Sequence, residues 1–258
     1  HVTTYNYLDS NGNVRDASAS GSLPTVGSGS FTGGSDGNVE HPQKFYDKIE
    51  DGNVQGYDPD TTTKGGTAYS DAIKLLKNQD EYDINLITIP GLTNDKHGTT
   101  IGELVDMCED RGDCFAVIDP LLHGGSITGA TTQAEARDSN YAAMYWPWVK
   151  IPDNDLGRNV WVPASTLIPS VYAFNDRVAA PWFAPAGLNR GGIDIAVQTE
   201  RKLTHANRDD LYQSSVNPIA TFPNAGVTVF GQKTLQKKSS ALDRVNVRRL
   251  LIAAKKFI

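Results

Sequence analysis

The chain is poor in the residues on which compact catalytic or metal-binding chemistry usually rests. Its 258 residues include two Cys, two Met and five His. Cys108 and Cys114 stand six apart, a spacing that matches no zinc pattern, and no His is placed to complete one. They read as reduced, structural thiols. No Asn-x-Ser/Thr sequon occurs, and no run of 18 apolar residues exists, so the sequence predicts no membrane-spanning helix. The first residues form no charged-then-apolar leader and contain no initiating Met, and the last ones are an unfinished helical pattern. Both ends therefore read as cut from a longer polypeptide. An excess of positive charge is missing as well. With 24 Lys and Arg against 30 Asp and Glu, the formal charge of −6 gives no footing for a nucleic-acid partner.

That average conceals an asymmetry. Lys233, Lys237, Lys238, Arg244, Arg248, Arg249, Lys255 and Lys256 are countered between 233 and 256 by Asp243 alone. Eight bases less one acid make that stretch +7, which leaves −6 − 7 = −13 elsewhere. Such polarity suits a subunit that meets copies of itself or an oppositely charged partner.

Residues 1–66 are polar and punctuated by Gly, Ser, Asn and Asp, with GSGSFTGGSDG as a loop signal. Short apolar pieces such as Val2–Leu8 suggest strands, so this part reads as a variable, β-rich or irregular subdomain or insertion. From 67 to 258 the pattern is that of an α/β domain. Ser70–Lys77 has helical spacing, and Ile84–Ile89 is a buried strand closed by Pro90-Gly91. Thr100-Ile101-Gly102-Glu103 has the form of a capping box. Ile101, Leu104, Val105 and Cys108 make one helical stripe that Gly112 ends, and Cys114–Ile118 is a second strand stopped by Asp119-Pro120. Strand, helix and strand in short succession predict a parallel pair. A second capping box at Thr132–Glu135 predicts a helix to about Met144, followed by an aromatic strand over Tyr145–Ile151 that Pro147 moves toward an edge. Asn159–Val162 returns antiparallel. Ser165–Ala179 is helical and starts late or kinks at Pro169. The tail from Asp243 is helical, with Val245, Leu250, Leu251 and Ala254 in one pattern. The fold class is α+β or α/β: a mixed sheet with flanking helices, plus the β-rich N-terminal piece.

Five segments then occur in a telling order. They are YWPWVKI (145–151), VPASTLIPSVYAFNDR (162–177), APWFAPAGLNRGGI (180–193), NPIATFPNAGVTVFGQKTL (217–235) and DRVNVRRLLI (243–252). Together they resemble the core of contractile bacteriophage tail sheath proteins. That family shows an aromatic strand near a Pro, a W-x-A-P-A-G element (here Trp182–Gly187), an N-x-I-x-T-F-P element (Asn217–Pro223) and a V-N-V-R-R-L element opening a long helix (Val245–Leu250). The resemblance implies a structural subunit rather than an enzyme, with no cofactor. Such subunits stack as hexameric rings around a tail tube protein, assemble in the host cytoplasm into the virion tail, and contract to drive the tube through the host envelope. A further C-terminal domain of the family is missing from this sequence, so the chain itself is expected to be monomeric. Residue types support a docking role without chemistry. Pro185 and Pro223 fix φ, and Gly187 and Gly226 supply φ > 0. Arg244, Arg248 and Arg249 offer planar forks to carboxylates on a subunit or tube surface.

Other readings compete with this one. The loop Gly91–Gly98 lies between a strand and a helix, where phosphates bind in nucleotide-binding domains, but its glycines are not spaced for it. A hydrolase would need Asp95 and His97 to recruit a Ser or Cys from elsewhere. Asp119, at the carboxyl end of a strand, reads as a turn-former and His123 as a loop residue. Trp146, Trp148, Trp161 and Trp182 read as core or subunit contacts. The remaining alternative is an outer-surface glycan-recognition module built on residues 1–66.

Overall fold

In the computed structural model, residues 66–258 are described apart from Leu156. The expectations for 1–65, including a strand at Val2–Leu8 and a β-rich subdomain, lie outside the described residues. Helix α1 (Gly66–Leu76) precedes strand β1 (Leu86–Thr93). The strand does not end at Pro90-Gly91 but runs through them. Its register against the next strand shifts between Thr88 and Thr93, where proline has no N–H to give and Gly91 takes φ 96°.

Helix α2 (Gly98–Arg111) buries Ile101, Leu104, Val105 and Cys108, the stripe read from the sequence. Each such side chain contributes on the order of 2 kcal/mol. The expected capping box is not formed. Thr100 already lies inside the helix, His97 is the N-cap, and the Glu103 carboxylate instead accepts from the Ser70 hydroxyl of α1. Gly112 ends the helix as predicted, at φ 68°, with its N–H on Cys108 O at 2.8 Å. Strand β2 (Phe115–Asp119) is buried throughout, as befits a strand covered on both faces.

The helix expected from Thr132 to Met144 lies elsewhere. Helix α3 spans Ile127–Glu135, capped by Ser126, whose hydroxyl accepts from Gly129 N at 2.9 Å. Thr132 is internal to it and donates to Thr128 O. Residues Ala142–Trp146 form β3, because this apolar run fills the slot beside β2 and tertiary packing overrides local helix propensity. The aromatic segment then divides at Pro147. Strand β4 (Val149–Asp153) belongs to a different sheet, paired antiparallel with β5 (Arg158–Val162), as expected, and with the short β6 (Gln198–Thr199).

Helix α4 (Ala164–Val178) starts early rather than late and runs continuously past Pro169. After α5 (His205–Gln213), strands β7 (Val216–Phe222) and β8 (Gly226–Val229) form a hairpin, and α6 (Val245–Phe257) closes the chain. The main sheet has the order β1-β2-β3-β7-β8, parallel but for β8. Alternate residues of its strands feed two cores. Ala116, Ile118 and Met144 pack in the core that includes Leu104, Ala130 and Leu211, from α2, α3 and α5. Phe115, Val117 and Tyr145 pack in the core with Ile168 and Ile252, from α4 and α6.

Candidate functional site

The basic helix α6 does not lie on its neighbours by the face its leucines suggested. Val245, Arg248 and Ile252 are buried, while Leu250 and Leu251 are 38% and 43% exposed. Arg248 is 6% exposed. Its Nε donates to Asn140 O at 3.1 Å, its Nη2 donates to Asn140 Oδ1, and the guanidinium lies 4.0 Å from the Tyr141 ring centre. Arg249 grips Asp176 of α4 through two bonds of 2.9 and 2.5 Å and lies 4.7 Å over Tyr172. Beneath it the Tyr145 and Tyr172 hydroxyls meet at 2.6 Å, and burial pushes both phenols above their ordinary range. Arg244 stands 3.5 Å from Asp243 and faces the Tyr212 ring, which Lys233 also covers.

Two lysines complete the attachment of this helix. Lys255 donates to Arg111 O at 2.6 Å, satisfying the C-terminal end of α2, and Lys256 pairs with Asp83. Both forks expected to reach another surface, Arg248 and Arg249, thus close on acceptors of this same chain. Much of the +7 stretch is a clamp.

A second rigid element lies beside it. The segment after α4 is tied to β8 by Gly187 N→Val229 O (2.8 Å), Val229 N→Gly191 O (2.7 Å) and Ile193 N→Val227 O (2.9 Å). Gly191 is required there, since a Cβ would come within 2.4 Å of Val229 O. Asn175 Nδ2 bonds the carbonyls of Ala180 and Phe183, and Asn246 of α6 bonds Trp182 O at 3.0 Å. The backbone is therefore fixed, yet Trp182, Phe183 and Leu188 are 53%, 41% and 57% exposed. Gly187 and Gly226 take the positive φ expected of them, 84° and 66°. In the hairpin, Asn217 is fully buried and bonds Met144 O and Lys233 O, locking β7 to β3 and to the chain beyond β8.

Asp95, His97 and Asp119, the residues weighed for chemistry in the sequence, are engaged in structure. Asp119 is buried, and its carboxylate accepts from Ser165 N (3.0 Å) and Ser165 Oγ (2.5 Å), so it caps α4 from the end of β2. Burial raises its pKa to about 7 against the opposing effect of those two bonds. In the β1–α2 loop, Thr93 Oγ1 donates to Asp95 Oδ1 and His97 Nδ1 accepts from Thr93 N. Arg137 reaches in from α3's end to Asn94 Oδ1 and Gly98 O, at 2.7 and 2.6 Å. The space in front of α2 is thus filled by the chain's own side chains. Cys108 and Cys114 are free and buried, and the hydrogen bond to Cys114, then burial, push the Cys108 thiol up. Among the described residues no group of three His, Cys, Asp or Glu side chains is arranged for a metal. Of the tryptophans, Trp146 and Trp148 are core, Trp161 is half-buried and Trp182 is exposed. The Asp119–Ser165 cap was not legible in the sequence, because its partners are 46 residues apart and only the Asp-Pro turn marked the site.

Comparison with known proteins agrees with this arrangement. The model of the phage tail sheath protein central domain matches residues 64–235, about two thirds of the chain. The tail sheath protein of Vibrio phage KVP40 is 38% identical over 143 residues, covering 55% of this chain and 19% of that protein. That of Enterobacteria phage T4 is 39% identical over 141 residues, covering 52% and 20%. That of Salmonella phage ViI is 29% identical over 195 residues, covering 72% and 30%. The chain thus spans between 19% and 30% of the length of these relatives. Among solved structures, the PVC sheath complex of an extracellular contractile injection system in its contracted state aligns with a TM-score of 0.56 at 27% identity. That alignment covers 71% of this chain and 49% of the other. The contracted anti-feeding prophage baseplate aligns with a TM-score of 0.58 over 75% of this chain and 55% of the other. At 17% identity it is similar in fold alone.

Proposed function

This chain belongs to the phage tail sheath family, and from that membership we propose that it is the central part of a subunit of a contractile tail sheath. In this reading the whole subunit polymerises with copies of itself around a tail tube protein, in the virion tail. On triggering, the helical assembly shortens and drives the tube through the host envelope. Assembly takes place in the host cytoplasm, and residues 67–258 are the sheath core, with 1–66 as a variable outer part. The work is mechanical and requires neither catalysis nor a cofactor. Energy is held as a difference in packing between two arrangements of subunits that move as nearly rigid bodies. A head-to-tail contact that does not close on itself is what makes a tube from such bodies.

The observation that carries this reading is the pairing of stiffness with exposed apolar surface. The family's own loop, Trp182–Gly187, is bonded on both sides and still turns large apolar side chains outward. An apolar rim on a fixed backbone is what a subunit contact needs. Arg248 and Arg249 contribute indirectly, by fixing the helix that borders this rim, and Arg244 adds a partly exposed charge next to it. Electron microscopy of the full-length subunit tests the proposal. Hollow, striated tubes are expected, and a full-length subunit that stays dispersed under assembly conditions would overturn it.

A further inference from the structure

The loop leaving β2 carries His123 into an enclosure formed by the second sheet. Its ring lies 5.0 Å from that of Trp161 on β5 and 5.8 Å from that of Trp148, just before β4. The loop backbone is fixed on both sides of that ring. Trp148 Nε1 donates to Leu121 O at 2.9 Å, and Gly124 N–H donates to Glu200 Oε1, at the end of β6. His123 Nε2 stands 4.0 Å from the same Glu200 oxygen. The Glu200 side chain is 7% exposed, and that of His123 33%. Both Nε2 of His123 and Oε2 of Glu200 are shielded from solvent and have no hydrogen-bond partner among the described residues. Leaving such groups unpaired costs roughly 1–3 kcal/mol each. Here the two lie at one place, with complementary chemistry, in the seam between the two sheets.

We propose that His123 and Glu200 form a proton-operated clasp that fastens the β2–α3 loop to the second sheet. When the imidazole gains a proton, Nε2–H carries positive charge toward the Glu200 carboxylate. A small rotation then closes the 4.0 Å gap into a charge-assisted hydrogen bond. When the proton leaves, the attraction is lost and the seam is held by the tryptophan contacts and the two backbone bonds. Glu200, on the β6 side, faces the imidazole, and Lys150 of β4 places its ammonium 4.9 Å from the neighbouring Trp161 ring. Asp119, at the end of β2, is committed to Ser165. The clasp is independent of what the chain assembles into, so it stands or falls apart from the sheath reading.

The test is a double-mutant cycle on the full chain with His123→Gln and Glu200→Gln, read by urea unfolding at pH 5.5 and pH 8. The Glu200→Gln change keeps an acceptor for Gly124 N–H, so the loop anchor survives. At pH 5.5 the two sites are expected to couple by about tenfold in the unfolding equilibrium, or ~1.4 kcal/mol, and at pH 8 the coupling should vanish. The exposed His205–Asp209 pair is present in all four proteins of the cycle, so its contribution cancels. Tryptophan emission gives a second signature, since imidazolium next to Trp148 and Trp161 should quench it on acidification in wild type but not in His123→Gln. Equal coupling at both pH values, or none at either, would sink the clasp, as would an emission change that survives in His123→Gln.

Discussion

Asp119 is the residue at which burial and bonding most sharply oppose each other. A carboxyl with its folded pKa raised to about 7 keeps its proton in the native state at pH values where the unfolded chain has released it. The unfolded state then binds fewer protons, so stability falls as pH rises from about 4 to about 7. The loss is at most on the order of 4 kcal/mol, and the positive end of α4 offsets part of it by favouring the ionised form. Asp119→Asn keeps an acceptor for Ser165 N–H without the titration. Urea midpoints across pH 4–8 are expected to decline in wild type relative to Asp119→Asn. Parallel profiles would show that the carboxylate is better solvated than its burial implies. Gly112, Gly187 and Gly226 were legible because backbone conformation is a local property. The Asp119 cap and the His123–Glu200 seam each depend on what the fold brings together, and local spacing carries no trace of that.

At the scale of elements, α6 offers the clearest contrast between pattern and packing. The sequence placed Val245, Leu250, Leu251 and Ala254 in one helical pattern, of which the structure buries Val245 and leaves the two leucines part-exposed. It buries Arg248 as well, although charged residues rarely leave water, because Asn140 and the Tyr141 ring satisfy its guanidinium while its stem covers apolar surface. Ile252→Ala is therefore expected to cost about 2–4 kcal/mol, whereas Leu250→Ala and Leu251→Ala should each stay within about 0.5 kcal/mol by chemical denaturation. Arg249 and Asp176 should couple by roughly 1 kcal/mol in a double-mutant cycle, a value held down because Asp176 is about a third exposed. A large loss at Leu250 would mean that α6 is rotated on its seat. The parallel β1–β2 crossover, the α2 stripe and the β4–β5 return were readable because period and turn residues agreed there. The α3 and β3 boundaries were not, because Thr132–Glu135 mimics a helix start while Ser126 supplies the real one. Ala142–Trp146 takes its form from the strands on either side.

For the whole molecule, stability and assembly ought to be separable, because the residues that hold the domain together differ from those it turns outward. The clamp of α6 and the bonds of the 180–193 segment face inward. Trp182, Leu188, Leu250 and Leu251 face solvent on backbones those interactions have made rigid. Polar substitutions at the exposed set, such as Trp182→Gln with Leu250→Ser and Leu251→Ser in the full-length subunit, are expected to leave the unfolding midpoint nearly unchanged. They should nevertheless prevent tubes from forming, since each polar side chain leaves an unpaired group in a contact that had excluded water. Ile252→Ala should behave the other way, lowering the midpoint and reducing tubes only in proportion to the protein unfolded. Tubes of unaltered spacing from the triple variant would place the subunit contacts elsewhere on the molecule. Their loss together with the fold would show that the two roles share residues, and that this rim is part of the core's own support.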